Sequence, residues 1–362
     1  MATRANTGAD QRVAPATGRR GPLRDGGFSL LELLISAAIL IILVYVVTTL
    51  AISGNSSQKY AERLNRATEI TQDLLDDIRT ELRESVRLFH DDTVGGEYLA
   101  ILAPWTAATP LASSRLPTLD ATGVFNRDTV GAEKTGNQLC FVRNAWTTEY
   151  TVPTSSTTYR VDVYRVVRYF LKSEDGGPQP GSWAGLNFSR FVSEAMVDSM
   201  QIDQITNATD QAELLQMLLN GAADVRGRIH APVQVVWRMG QSPSISGTFR
   251  QILSDGTMTI TVTPPRPGVS WQILRDSDLS KEGFLTYRHH SVASNYAQAN
   301  LGVGRFGLID NTGTGFPHGF EVQMIGPASA RQVLVNFTVV STNRQGRTAA
   351  ANLQGIADAR DI

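Results

Sequence analysis

Glu32 is the one charged residue in the apolar run from Phe28 to Ile52, and a lone carboxylate there calls for a cation. On membrane-insertion scales an acidic side chain costs roughly 2.5 to 3.5 kcal/mol at the centre of a spanning helix and less toward its end. The nearest available cation is an α-amine at Phe28, which exists only if the Gly27–Phe28 bond is cut. A second oxygen-rich stretch, Asp276, Asp278, Ser280 and Glu282, alternates as the ligands of a calcium loop do. Asp276 and Asp278 are therefore weak calcium candidates. Lys281 stands where an EF-hand needs glycine and Tyr287 where it needs its closing acid, so a solvated turn is the plainer account. Asp310-Asn311-Thr312-Gly313 is a weaker case of the same kind.

Motifs for catalysis do not assemble. Gly302-Val303-Gly304-Arg305-Phe306-Gly307 fits the dinucleotide fingerprint by letter, but no helical stretch follows at Leu308-Ile309-Asp310-Asn311, and the motif needs a strand before it and a helix after. The histidines His90, His230, His289, His290 and His318 lack the helical i,i+4 spacing or the cysteine partners of a zinc site. No nucleophile elbow or phosphate-loop lysine is present. The expectation is a protein that is not an enzyme and uses no cofactor.

Composition narrows the class. Net charge is -1, with 42% hydrophobic and 19% charged residues, which suits a globular body plus one membrane segment. The balance predicts no strongly basic surface, and nucleic acid is not an expected partner. Cys140 is the single cysteine, in the apolar setting Gln138-Leu139-Cys140-Phe141-Val142, and reads as a buried free thiol. With no intrachain disulfide, an exported domain must be stabilised by core burial alone.

Residues 1–27 hold Arg4, Arg12, Arg19, Arg20 and Arg24 against Asp10 and Asp25, without apolar periodicity, and read as a polar cytoplasmic leader. Residues 28–52 span about 37 Å as a helix, enough to cross a bilayer with some tilt. A cleaved secretory signal, with Thr49-Leu50-Ala51 as its cleavage site, and an uncleaved signal anchor compete with a prepared membrane helix; Glu32 has no use in the first. After the polar break Ser53-Gly54-Asn55-Ser56-Ser57, residues 53–90 continue as an amphipathic helix. Leu64, Ala67, Ile70 or Thr71, Leu74, Leu75, Ile78, Leu82, Val86 and Phe89 recur at spacings of three and four on one stripe. The charged residues between them, including Asp76 with Arg79, read as a solvated face.

The string GFSLLELLISAAIL resembles the class III signal of type IV prepilins and pseudopilins: glycine before the cut, an aromatic after it, and glutamate as the fifth mature residue, here Gly27, Phe28 and Glu32. The likeness covers about the first tenth of the chain and extends weakly over Ile70 to Phe89, which is similar to the helix of PilW-like minor pilins and J-type pseudopilins. It implies cleavage at Gly27–Phe28 by a prepilin peptidase, N-methylation of Phe28, and pairing of Glu32 with the mature amine of a neighbouring subunit. Thr49 stands where many major pilins carry a proline, which leans toward a minor subunit or pseudopilin. The implied fold is α+β and type IV pilin-like, a long N-terminal helix packed on a mostly antiparallel, β-rich C-terminal head.

That head, residues 91–348, is expected to contain strands at Tyr98–Leu102, Gln138–Arg143, Tyr159–Leu171, Val233–Trp237, Met258–Val262, Ser270–Leu274 and Val333–Val340. Phe188–Met200 and Gln211–Leu219 read as short helices, the second stopped by Asn220-Gly221. A subdivision is placed near 225–230, and the tail 349–362 is expected to fray. The function implied is a PilW-like minor pilin, made as a single-pass inner-membrane precursor with its head extracytoplasmic. Its partners would be the peptidase, other pilin subunits and the inner-membrane assembly platform, and its place would be to initiate or cap a pilus. A J-type pseudopilin of a type II secretion system, and a signal-anchored extracytoplasmic binding protein or enzyme, are the alternatives.

Overall fold

The computed structural model describes residues 29–102, 114–123, 135–172, 186–261, 269–272, 289–293, 319–342 and 348–361. Gly27, Phe28, Asp276, Asp278 and the stretches Gly302–Gly307 and Asp310–Gly313 lie outside them. The chain is α+β. Helix α1 (Leu30–Arg83) is followed by β1 (Ser85–Phe89), α2 (Thr93–Leu102), β2 (Leu119–Asp120), β3 (Gln138–Thr151), β4 (Thr158–Lys172), β5 (Asn187–Val192) and β6 (Met196–Asp198). Then come α3 (Ser199–Asp203), α4 (Ala208–Asn220), β7 (Val235–Trp237), β8 (Phe249–Ile252), β9 (Met258–Thr261) and β10 (Val269–Gln272). Strands β11 (His289–Val292), β12 (Phe320–Ile325), β13 (Arg331–Thr342) and β14 (Thr348–Ala359) complete the order.

Helix α1 runs unbroken for 54 residues, through the polar Ser53–Ser57 stretch. Ser56 satisfies its hydroxyl on the Ser53 carbonyl at 2.8 Å, as Thr48 and Thr49 do on those of Val44 and Tyr45 at 2.7 and 2.8 Å. Small polar side chains bonded back to the helix replace the break their composition suggests. Its amphipathic half buries Ala67, Thr71, Leu74, Leu75, Ile78 and Leu82, as the periodicity requires.

The helix stops at Arg83, short of Phe89. Ser85–Phe89 instead pairs antiparallel with β3, with an irregularity between Ser85 and Arg87; the adjacent Leu88 and Phe89 face opposite ways and enter two different cores, Leu88 with Leu82 and Phe89 with Trp237. Val86 and Phe89 continue a three-and-four spacing and equally suit a strand, so periodicity alone does not separate the two.

Two sheets make up the β-rich region. The nine-stranded sheet has the order β1-β3-β4-β6-β7-β8-β9, with β5 between β4 and β10; the five-stranded sheet has β11-β13-β12-β2 with β14 on the outer side of β13. Both are mixed: β6–β7 and β2–β12 are parallel, and the other pairings are antiparallel. β4 is the spine, and both of its faces are buried: Val167, Tyr169 and Leu171 in the core beneath α1, Val166 and Phe170 in the core around Trp237. A third core joins Val161 and Val163 of β4 to Leu214, Leu215 and Leu218 of α4.

Three further expectations are corrected. Thr93–Leu102 is a helix and contains the Tyr98–Leu102 stretch; Tyr98 and Leu102 fall four apart and both enter the Trp237 core. Phe188–Met200 is strand, β5 then β6, because its residues pair with β4 and β10, and helix begins only at Ser199. The C-terminal stretch is a strand held along twelve register pairs with β13, from Arg331↔Ala359 to Thr342↔Thr348. Its alternate alanines, Ala351, Ala357 and Ala359, enter the core that contains Ala67 and Leu74. The chain separates into two compact units between Gln58 and Lys59, within α1; residues 225–230 are a loop inside the second.

Candidate functional site

Three constellations emerge, one at the start of α1 and two within the second unit. At the start, Ser29 and Glu32 cap the helix reciprocally: the Ser29 N–H donates to Glu32 Oε2 at 3.0 Å, and the Glu32 N–H donates to Ser29 Oγ at 3.2 Å. This is a capping box, with two of the otherwise unpaired first-turn donors satisfied. Its sequence signal is a serine three residues before a glutamate. The carboxylate lies in the first turn of the helix, at the positive end of its dipole.

From Leu30 to Ile52 every side chain is exposed within the first unit, Leu30 by 81% and Ile52 by 67%. Contiguous apolar exposure on that scale marks a surface meant for lipid or for another protein. The helix is long and apolar enough to cross a membrane.

The second constellation centres on Glu81, on the charged side of α1 beside strands β3, β4 and β5. Arg190 Nε donates to Glu81 Oε2 at 3.1 Å and Arg190 Nη2 to Glu81 Oε1; the Tyr169 hydroxyl donates to Oε2 at 2.5 Å. Arg143 Nη1 donates to Glu84 at 2.9 Å, and its Nη2 lies 3.8 Å from Glu81. These groups, with Leu74, Asp77 and Thr80, line a cleft of about 550 Å³.

Burial, and then the adjacent Glu81 carboxylate, push the Tyr169 phenol well above its usual range, so it stays a donor at any ordinary pH. Burial alone would lower the Arg190 guanidinium, but Glu81 and Tyr169 hold it above its ordinary value. Arg165, directly across from Arg143 on β4, is lowered by burial and by the Arg143 and Arg190 charges. The arrangement fastens one helix to three strands by charge-assisted bonds at reduced solvent exposure.

A further carboxylate, Asp224, organises the 221–230 loop. Its Oδ1 accepts from the N–H groups of Arg226 and Arg228, both at 2.8 Å. Its Oδ2 accepts from Thr148 Oγ1 at 2.7 Å and Arg228 Nε at 3.0 Å, and lies 3.1 Å from His230 Nε2. Burial opposes the charge, but these donors outweigh it and hold Asp224 far below the usual carboxylate range. Gly221, at φ 65°, begins the loop as the C-cap of α4, as its stop signal indicated. His230 stacks on Trp146 with centroids 5.5 Å apart. His230 thus has a structural setting; nothing in the spacing of the histidines pointed to Asp224.

Among the described residues, no group of three or more His, Cys, Asp or Glu could hold a metal ion. Cys140 is a buried free thiol, pushed up to about 12 by burial. Its cross-strand neighbour Arg168 is 2% exposed, bonded through Nε and Nη2 to Gln138 Oε1 at 3.0 and 2.6 Å, and brought down to about 10 by burial. Comparisons with models of known families, with curated proteins and with solved structures find no match.

Proposed function

We propose that this chain is a subunit of a type IV pilus-like filament, a minor pilin of the PilW kind, made as a membrane precursor and cut between Gly27 and Phe28. The observation that carries the reading is the juxtaposition of GFSLLE with a fully exposed apolar helix that continues without a break into a core-packed amphipathic half. Cleavage by a prepilin peptidase would create the Phe28 amine, to be N-methylated, one residue before the Ser29 cap. The Glu32 carboxylate uses Oε2 on its own helix, and it offers further acceptor capacity to an amine from a neighbouring subunit. In a bundle of apolar helices that single charge pair sets an axial register that side-chain packing leaves weakly specified.

The inner membrane is the site of the precursor and the assembly platform its partner. Initiation or capping of the filament suits the size of the β-rich region. A J-type pseudopilin would use the same physics in a secretion system. A signal-anchored binding protein or enzyme is the other class; in it Glu32 would serve as the helix cap alone.

Mass and N-terminal sequence of the protein purified from membranes test the proposal. The expected chain starts at methylated Phe28; a mature chain that retains residues 1–27 would overturn it.

A further inference from the structure

The 224–230 loop is held more firmly than its exposure requires. Asp224 is 6% exposed and gives its oxygens to the loop's own N–H groups, to Thr148 and to Arg228. Main-chain bonds from Asp224 N to the Arg228 carbonyl at 2.9 Å and from Val225 N to the Glu149 carbonyl at 3.0 Å tie the loop to itself and to β3. Burying a carboxylate is costly unless donors surround it. Here those donors fix a stretch whose other side chains face solvent: Val225 is 47% exposed and Ile229 79%. The neighbouring β3–β4 turn is fixed as well, because Ser155 Oγ and the Tyr159 hydroxyl each donate to buried Asp210 of α4 at 2.8 Å.

Between loop and hairpin lies a pocket of about 260 Å³, whose charged lining is Arg160, Arg226 and Arg228 against Glu149 and Asp224. Asp224 is occupied by the bonds above, with Arg228 Nη2 at 2.9 Å, and Glu149 stands across from Arg160 in the β3–β4 register. Arg160 also lies 3.4 Å from Asp162. Arg226 gives its main-chain N–H to Asp224, and its guanidinium makes no ion pair or hydrogen bond among the described residues. Sites that enclose a whole small molecule measure roughly 300–1,000 Å³. This one suits a single side chain.

We propose that the pocket takes a carboxylate of a partner peptide, an acidic side chain set among Arg160, Arg226 and Arg228, with apolar neighbours of that residue lying on Val225 and Ile229. Charge complementarity selects the occupant: guanidiniums bind planar carboxylates through paired N–H donors, as arginine clusters do when they read acidic motifs. The two exposed aliphatic side chains favour a peptide, which brings apolar groups beside its acid, over a polar anionic sugar. Because loop and hairpin are already held, docking freezes little that was free. The site lies wholly in the second unit, so the inference stands apart from the removal of residues 1–27.

The test uses the full-length chain in uncharged detergent and labelled hexapeptides, blocked at both ends, with one glutamate between two leucines or glutamine in its place. Fluorescence anisotropy should show the glutamate peptide binding about tenfold tighter, with the preference shrinking as salt rises. Arg226→Gln removes the guanidinium but keeps the N–H that Asp224 uses, and should abolish most of that preference. Arg160→Gln, on a different element, should lower it as well, while Ile229→Ser should weaken both peptides alike. Acetate should displace the glutamate peptide. Equal binding of the two peptides by the native chain, an unaltered preference in both arginine variants, or displacement by inorganic phosphate and not by acetate would overturn the proposal.

Discussion

Single carboxylates do most of the organising, and their settings decide what removing each would do. Glu32→Ala should leave cleavage intact, since the bond cut is four residues away, but impair incorporation into filaments; normal assembly of that variant, scored by sheared-surface fractions, would count against a register role. Ser29→Ala separates the two uses of Glu32: it removes the cap, worth about 1 kcal/mol of local helix stability, and leaves the charge. Assembly should therefore survive Ser29→Ala better than Glu32→Ala. At Asp224 the folded-state pKa is depressed, so its stabilisation is present above the ordinary carboxylate pKa, about 3.9, and is lost as pH falls through that value toward the folded one. Asp224→Asn should lower the melting temperature at neutral pH and flatten the acid limb below about pH 4; an unchanged acid limb would mean the loop is held otherwise. Arg168 is the opposite case, a buried cation that among the described residues hydrogen-bonds Gln138 and lies over the Phe170 ring, and whose Nη1 finds no acceptor there. Replacing such a group by an apolar one of similar volume is often neutral or stabilising, and Arg168→Met with Gln138→Leu should change chemical stability by less than about 1 kcal/mol or raise it.

Elements were legible wherever a local pattern and the tertiary outcome agree. The stripe of α1, the alternation of β4 and β13 and the Asn220-Gly221 stop all carry their cause in a few neighbouring residues. Gly221 shows why: its φ of 65° suits glycine, and a Cβ there would meet the His230 carbonyl oxygen at 2.8 Å. Gly221→Ala should therefore destabilise by more than about 1 kcal/mol, measurable as a shift in denaturation midpoint with unchanged slope. What was not legible depends on residues far away in sequence. Thr348–Ala359 is poor in β-branched residues and reads as a tail, yet its alanines are the small side chains that let helix and sheet approach, and Gly355 lies where a Cβ would come within 3.1 Å of Arg79 Nε. Likewise Phe188–Val192 became strand because β4 and β10 flank it on both sides. The Glu81 hub was invisible for the same reason: Glu81, Tyr169 and Arg190 are brought together by folding alone. Because Glu81 and Arg190 are mostly buried, with 13% and 21% side-chain exposure, Glu81→Gln should cost about 2 kcal/mol, short of the 3 to 5 of a fully buried pair, while Tyr169→Phe costs about 1.

At the scale of the whole molecule, the boundary between Gln58 and Lys59 divides the physical tasks. All three buried cores draw their residues from Ala67 onward, and the exposed apolar residues from Leu30 to Ile52 belong to none of them. The stability of the second unit should then be independent of the first. A chain beginning at Lys59 loses an apolar stretch that contributes nothing to those cores, and it keeps the Glu81 anchorage, the Asp224 loop and the full pairing of β13 with β14. It should be monomeric and soluble without detergent, and its melting temperature should lie within about 3 °C of the full chain's, since 1 kcal/mol shifts a domain of this size by about 2 to 4 °C. Early turns of the shortened helix will fray, but the first buried side chain, Ala67, lies two turns inside, so fraying leaves the cores intact. Aggregation of that fragment, or a fall of 10 °C or more, would show that the apolar segment stabilises the β-rich unit and would remove the division on which the filament reading depends.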